Sequence, residues 1–166
     1  MHSRRRKNVV AHTFRKILCP VDFDDNSMGA LEVACKVAVQ NEASLCLIHV
    51  VEVPAHSTEM PPEALKPFPL WEREAKVKLD GIASERVPSV IRGGTFTRTG
   101  FLARQIIADA DDVGADLIVM ATHGHSRSAV EHLLLGSVAE RVVRSSICPA
   151  LVVPPVEAPC FYTDSR

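Results

Sequence analysis

Short apolar runs alternate with longer amphipathic stretches along most of the chain. Four runs predict buried β-strands at residues 16–21, 44–50, 115–121 and 148–153, and residues 90–99 form a weaker fifth candidate. Within the runs, consecutive positions are apolar rather than every second one. This pattern is typical of a parallel sheet that is covered by helices on both faces.

The segments between the runs carry apolar residues at every third or fourth position, which predicts helices. Four helices are expected, at Ser27–Gln40, Trp71–Arg86, Phe101–Val113 and Ser137–Arg144. Asp25 or Asn26 is expected to cap the first helix. The second helix is rich in Glu and Lys and is expected to lie at the surface.

Strands and helices in this order predict a five-stranded, parallel, doubly wound α/β sheet with helices on both faces. The proline-rich stretch 53–69 interrupts the alternation and predicts a long loop without regular structure after the second strand. Gly93-Gly94 and Gly100 are explained by a turn at the weakest strand. Since such sheets bind ligands at the ends of their strands, a site is expected there.

Composition and charge reduce the number of functions that this sequence can be expected to have. The 166 residues are expected to form one domain at 14–155, between a basic tail at 1–13 and a C-terminal tail at 156–166. The formal net charge is −1, so no overall field attracts nucleic acid or a membrane. The basic tail is interpreted as a solvated segment, with a nucleic-acid-binding or lipid-binding arm as the alternative. No apolar run is long enough for a membrane span or a secretion signal, which predicts a cytoplasmic protein.

The cysteines and histidines form no recognisable disulfide or metal pattern. The five cysteines show no C-x-x-C spacing, so we expect reduced thiols that pack as small apolar side chains. His123 and His125 are two residues apart on a loop, which places them on opposite sides, and no further ligand lies at a suitable spacing. No metal site is predicted.

Common catalytic and phosphate-binding motifs are missing from the sequence. It contains no G-x-x-x-x-G-K-[ST] loop, no G-x-G-x-x-G after the first strand and no G-x-S-x-G elbow. No catalytic residue is therefore assigned, and an enzyme is not expected.

Two other features favour a nucleotide. Gly136-Ser137 begins the last helix, where unpaired N–H groups and a small hydroxyl favour a phosphate, and Gly124 would let the backbone approach it. Asp22 follows the first strand, beside the point where the strand order of a doubly wound sheet reverses. The alternative is that Gly136 is a plain turn, Ser137 an ordinary N-cap and Asp22 a cap of the first helix.

Four segments resemble the universal stress protein family in sequence and in order. They are "ILCPVDFDDNSMGALEVA", "LCLIHVVE", "ADLIVMATHG" and "LLLGSVAERVVRSSICPALVV", and the resemblance extends over about residues 14–154. The resemblance implies a Rossmann-like, adenine nucleotide α-hydrolase-like fold and a stress-response function without a general catalytic activity. It also implies a homodimer through the last strand, about Ala150–Val153. Some members bind ATP and others do not; ATP, with or without Mg²⁺, is the cofactor expected here.

The nucleotide contacts of the ATP-binding members map onto four short segments of this chain. By resemblance, the expected binding residues are Pro20, Val21, Asp22, Val50, Met120, Ala121, His123, Gly124, Gly136, Ser137 and Val138. Two departures affect the phosphate loop. The family motif has glycine where this chain has Ala121, and nine residues before its final glycine where this chain has the eleven residues 125–135.

These observations predict an adenine-nucleotide-binding module without significant turnover, in which bound ATP orders residues 122–137. A dimeric interaction protein that binds no nucleotide is the first alternative. A weak ATPase is the second.

Overall fold

A computed structural model describes residues 13–53, 68–122 and 135–155 of the protein. Strands and helices alternate in these residues, and the chain order is β1 (Lys16–Pro20), α1 (Asp25–Asn41), β2 (Ser44–Glu52), α2 (Phe68–Arg86), β3 (Arg92–Gly100), α3 (Leu102–Asp112), β4 (Leu117–Ala121), α4 (Ser137–Ser145) and β5 (Ala150–Val153). All five predicted strands are present, and their ends lie within two residues of the predicted ones.

The five strands form one parallel sheet in the order β3-β2-β1-β4-β5. This confirms the predicted fold class. β2 and β3 lie on one side of β1, while β4 and β5 lie on the other, so β1 and β4 meet where the strand order reverses. The segments that leave the carboxyl ends of these two strands therefore diverge around a crevice.

The core has two layers because both faces of the sheet are apolar. On one face, strand side chains pack with α1 and α2 around Leu31 and Leu79. On the other face, they pack with α3 and α4 around Ile106 and Val142. These four side chains are fully buried, and each contributes about 1.5–3 kcal/mol to folding.

The first helix is capped by a residue other than the predicted ones. Asp24 has an extended backbone, and its Oδ1 accepts a hydrogen bond from the Ser27 N–H at 2.7 Å. The predicted caps, Asp25 and Asn26, lie inside the first turn, so that prediction was wrong. The three adjacent residues have similar capping propensities, and the path of the chain out of β1 decides between them.

The second helix begins earlier than predicted and includes Pro69. The predicted loop at 53–69 is therefore wrong at its C-terminal end, while residues 54–67 lie outside the described residues. Proline is tolerated in a first turn because its missing N–H would have no intrahelical acceptor there. The helix lies at the surface as predicted, since most of its residues are exposed. Its other side packs against the sheet through the buried residues Phe68, Ala75, Leu79 and Ala83.

Gly93-Gly94 lies inside β3 and not in a turn. Leu45 pairs with Arg92 and Leu47 with Thr95, so β3 holds one extra residue at this point, which is the arrangement of a β-bulge. A Cβ on Gly93 would lie 2.7 Å from Ser44 Oγ and 2.8 Å from Leu45 O. The glycine is therefore required by close contact with β2.

Gly93→Ala is expected to destabilise the protein by about 1–3 kcal/mol, because neither strand can move without disturbing the core. Gly81→Ala is the matched control. Gly81 lies inside α2 with nothing within 4 Å of an added Cβ, and alanine there should stabilise by about 0.5–1 kcal/mol. Urea unfolding measures both changes, and equal effects of the two substitutions would contradict the packing assigned to Gly93.

The described cysteines are free thiols. Cys19 and Cys46 are buried, and Cys35 and Cys148 are partly buried. Burial raises the pKa of the Cys19, Cys35 and Cys148 thiols, so these side chains pack as small, uncharged groups.

The described helices include none with both the length and the apolar character needed to cross a membrane.

Candidate functional site

A cleft of about 830 Å³ lies at the carboxyl edge of the sheet, between the ends of β1 and β4. Nine of the residues expected to bind nucleotide line this cleft: Pro20, Val21, Asp22, Val50, Met120, Ala121, Gly136, Ser137 and Val138. The other two, His123 and Gly124, lie outside the described residues. These nine residues come from four separate segments of the sequence, which the fold brings to one place.

Asp22 is held at the cleft by the turn that joins β1 to α1. Its N–H donates to Ser27 Oγ at 3.3 Å, and its Oδ1 accepts from the Asp24 N–H at 3.2 Å. Ser27 is buried and also lines the cleft. Sequence reasoning missed Ser27 because its hydroxyl bonds to a residue five positions earlier, across the turn.

His49 is a second cleft residue that sequence reasoning missed. Its Nδ1 lies 2.7 Å from the Val21 carbonyl oxygen, and its ring stacks on Phe23 at 4.2 Å between centroids. Burial lowers the pKa of His49, although the Val21 carbonyl and the Asp22 carboxylate oppose the shift, so the ring is neutral at pH 7. The available signal was a histidine in an otherwise apolar strand, one residue before Val50.

One wall of the cleft is apolar. Val50 and Met120 project from the ends of β2 and β4 and pack with side chains of α3 in the same buried cluster. The apolar residues of this wall are Ile48, Val50, Leu102, Ile106 and Met120. A flat, apolar group such as a nucleotide base matches this wall better than a phosphate does.

Two backbone hydrogen bonds fix the positions of Thr122 and Gly136 at the end of β4. The Thr122 N–H donates to the Val153 carbonyl at 3.1 Å, and the Gly136 N–H donates to the Thr122 carbonyl at 3.1 Å. Gly136 is therefore held beside the end of β4, whatever the length of the segment between them. Thr122 also lines the cleft; its buried Oγ1 has no hydrogen-bond partner among the described residues.

Ala121 is compatible with the site as the last residue of β4. It pairs with Val153, and it is not among the described residues with a positive φ. A side chain at this position therefore causes no backbone strain.

The helix α4 begins in the cleft with an open N-terminus. Its N-cap is Gly136, which has no side chain to cap the helix, and the Glu140 N–H donates to the Gly136 carbonyl at 2.9 Å. The N–H groups of Ser137, Val138 and Ala139 consequently have no intrahelical acceptor. The start of α1 is capped by the side chain of Asp24, whereas the start of α4 has no side-chain cap and is suited to an anion.

The two sides of the cleft differ in charge. The carboxylates of Asp22 and Glu52 lie on the side of β1 and β2, while the N-terminus of α4 lies on the side of β4. A phosphate is repelled by the first side and attracted by the second. The described residues contain no group of three or more His, Cys, Asp or Glu side chains placed to hold a metal ion.

The comparisons of this chain with known proteins indicate a single family. The model of the universal stress protein family matches residues 13–154. A universal stress protein of Methanocaldococcus jannaschii is 37% identical over 147 residues, covering 84% of this chain and 82% of the relative. One from Thermus aquaticus is 37% identical over 142 residues, covering 84% and 98%.

Solved structures of the family have the same fold. A second universal stress protein of Methanocaldococcus jannaschii superposes with a TM-score of 0.70 at 29% identity, covering 86% of this chain and 96% of that one. A universal stress protein in complex with cAMP has a TM-score of 0.57 at 23% identity, covering 86% and 99%. One from Archaeoglobus fulgidus in complex with dAMP has a TM-score of 0.51 at 18% identity, covering 84% and 98%.

Proposed function

We propose that this chain, which belongs to the universal stress protein family, binds an adenine nucleotide in the cleft at the carboxyl edge of its sheet. One observation carries the proposal. Ser137, Val138 and Ala139, whose N–H groups lack intrahelical acceptors, line a cleft whose other wall is apolar. A nucleotide has one charged end and one flat, weakly polar end, and it matches both walls.

The difference in charge between the two sides of the cleft orients the ligand. The phosphates lie at the start of α4, away from Asp22 and Glu52, and the base lies against Val50 and Met120. Asp22 then accepts hydrogen bonds from the base or the ribose. Complexes of two proteins of this fold with cAMP and dAMP are in keeping with an adenine nucleotide, although at 23% and 18% identity those likenesses concern the fold alone.

The two departures from the family motif do not remove the phosphate site. The bond between the Gly136 N–H and the Thr122 carbonyl, at 3.1 Å, fixes the start of α4. The start of α4 is therefore held beside the end of β4 although two more residues separate Gly124 from Gly136 than in the family motif. We propose ATP as the nucleotide, with Mg²⁺ bound through its phosphates, and binding without significant turnover in the cytoplasm.

We further propose a homodimer through β5. This strand is at the edge of the sheet and, among the described residues, pairs with β4 alone. Val143, Ile147 and Leu151 beside it have exposed fractions of 47%, 69% and 40%. Apolar side chains beside an open strand edge favour pairing with a second copy. The same observation supports the second candidate function, a dimeric interaction protein that binds no nucleotide.

Thermal unfolding with Mg-ATP tests the nucleotide proposal. At a concentration of one hundred times its dissociation constant, a ligand adds about 2.7 kcal/mol of stability, which corresponds to roughly 5–10 °C in Tm for a chain of this size. GTP separates base recognition from phosphate recognition, and tripolyphosphate measures the phosphate site alone. Release of inorganic phosphate from the same samples tests the alternative of weak ATP hydrolysis.

The three ligands give distinct results. A large shift with ATP and smaller shifts with GTP and tripolyphosphate support the proposal. Equal shifts with ATP and GTP would support the phosphate site and contradict adenine recognition. No shift with millimolar ATP would favour the interaction protein instead.

A further inference from the structure

Phe23 has an unusual backbone conformation immediately after Asp22. Its φ is +68°, in the left-handed region that residues other than glycine seldom occupy. Such a conformation persists only where the surrounding structure determines it, and it is often found at functional sites. Here the ring of Phe23 stacks on His49, with 4.2 Å between centroids and 25° between planes, and Lys78 Nζ lies 4.2 Å from the centroid of the Phe23 ring.

His49 also fixes the residue on the other side of Asp22. A carbonyl oxygen only accepts hydrogen bonds, so the 2.7 Å contact with Val21 O requires the proton to be on Nδ1. The Val21 N–H donates to the Ile48 carbonyl at 2.8 Å. Both backbone polar groups of Val21 are thus held by β2, one of them through the imidazole.

Asp22 therefore lies between two residues that a single imidazole holds, Val21 through a hydrogen bond and Phe23 through stacking. Two hydrogen bonds hold Asp22 itself: its N–H donates to Ser27 Oγ at 3.3 Å, and its Oδ1 accepts from the Asp24 N–H at 3.2 Å. Core packing alone does not account for a histidine here. A leucine would fill similar space on this strand, and the imidazole adds the Nδ1–H donor.

We propose that His49 and Phe23 form a clamp that positions the Asp22 carboxylate for ligand binding. The proposal rests on the proposed nucleotide function and extends it to two residues that are not among the expected nucleotide contacts. His49 is a positioning residue, since it acts through Val21 and Asp22. The clamp explains why the backbone strain at Phe23 occurs one residue after the carboxylate that lines the cleft.

A matched pair of amide substitutions tests the clamp. In His49→Asn the side-chain N–H occupies the position of Nδ1, whereas in His49→Gln it lies near the position of Nε2. We expect His49→Asn to bind Mg-ATP within about threefold of the unmodified protein and His49→Gln to bind at least tenfold more weakly, as measured by isothermal titration calorimetry. Tm values without ligand establish that both variants fold. Phe23→Leu, which keeps the backbone strain and removes the stacking, should also weaken binding.

The same substitutions in an Asp22→Ala background separate positioning from direct contact. If His49 acts through Asp22, His49→Gln should have no further effect once the carboxylate is gone. Additive losses would mean that His49 contacts the nucleotide itself and would overturn the proposal. Equal affinities of the Asn and Gln variants would overturn it as well. Absence of ATP binding by the unmodified protein is a separate result, which removes the proposed function together with the clamp.

Discussion

Arg98→Met is expected to destabilise the protein by about 2–3 kcal/mol at pH 7, because it leaves the buried Asp109 carboxylate without its cation. Arg98 Nε and Nη2 lie 3.0 and 2.8 Å from Asp109 Oδ1 and join β3 to α3. The Asp109 side chain is 2% exposed and that of Arg98 is 40% exposed. Because water reaches the arginine, the expected loss is below that of a fully buried pair.

The loss should depend on pH. Burial raises the pKa of Asp109 above its ordinary value, and Arg98 opposes the shift. A carboxyl with a raised pKa binds its proton more tightly in the folded state, so its contribution to stability falls as the pH rises through that pKa. Removing Arg98 raises the pKa further. The destabilisation should therefore be smaller at pH 4 than at pH 7.

Two variants control the measurement, which is the free energy of unfolding in urea. Lys76→Met removes a pair with Asp80 that is 2.5 Å long but exposed on both sides, and it should cost less than about 1 kcal/mol. Combining Arg98→Met with Asp109→Leu removes both charges and should recover most of the stability. A loss for Arg98→Met no larger than that for Lys76→Met would contradict the role assigned to the buried pair.

Ser137→Pro should weaken ATP binding about 10- to 100-fold while the protein stays folded. Ser137 is the first residue of α4, where proline is well tolerated. Gly136 has φ −59° and ψ 151°, a conformation that a residue before proline favours. The substitution therefore removes one N–H from the proposed phosphate site, and a hydrogen bond to a charged group is worth about 1.5–3 kcal/mol.

Ser137→Ala is the matched variant, because it removes the hydroxyl and keeps the N–H. Its loss of affinity should be clearly smaller than that of Ser137→Pro, as measured by isothermal titration calorimetry. Similar losses in both variants would assign the effect to the hydroxyl. No loss in either would place the phosphates elsewhere.

Sequence alone predicted the architecture well because burial on both faces of a parallel sheet leaves consecutive apolar residues in every central strand. Local features were harder to predict. Gly93-Gly94 has the composition of a turn, and only its pairing with β2 identifies a bulge. Asp24, Asp25 and Asn26 are similar as caps, and the structure selects the first.

The candidate site was predictable where it depends on position in the fold. Asp22 follows β1 and Gly136 precedes α4, so the topology of the sheet brings the two residues together. His49 and Thr122 could not be identified in this way. Their roles depend on contacts with the backbone carbonyl of Val21 and with the backbone of Val153. These contacts arise from the register between strands, and a histidine in an otherwise apolar strand does not by itself reveal them.

The central claim is that a nucleotide occupies the cleft with its phosphates at the start of α4. A titration of ¹⁵N-labelled protein with Mg-ATP, followed by ¹H–¹⁵N correlation spectra, tests it most directly because each backbone amide is observed separately. The account predicts the largest shifts at Ser137, Val138 and Ala139, with further shifts at Asp22 and Val50. Unchanged amides at millimolar ATP, or shifts confined to residues outside the cleft, would contradict it.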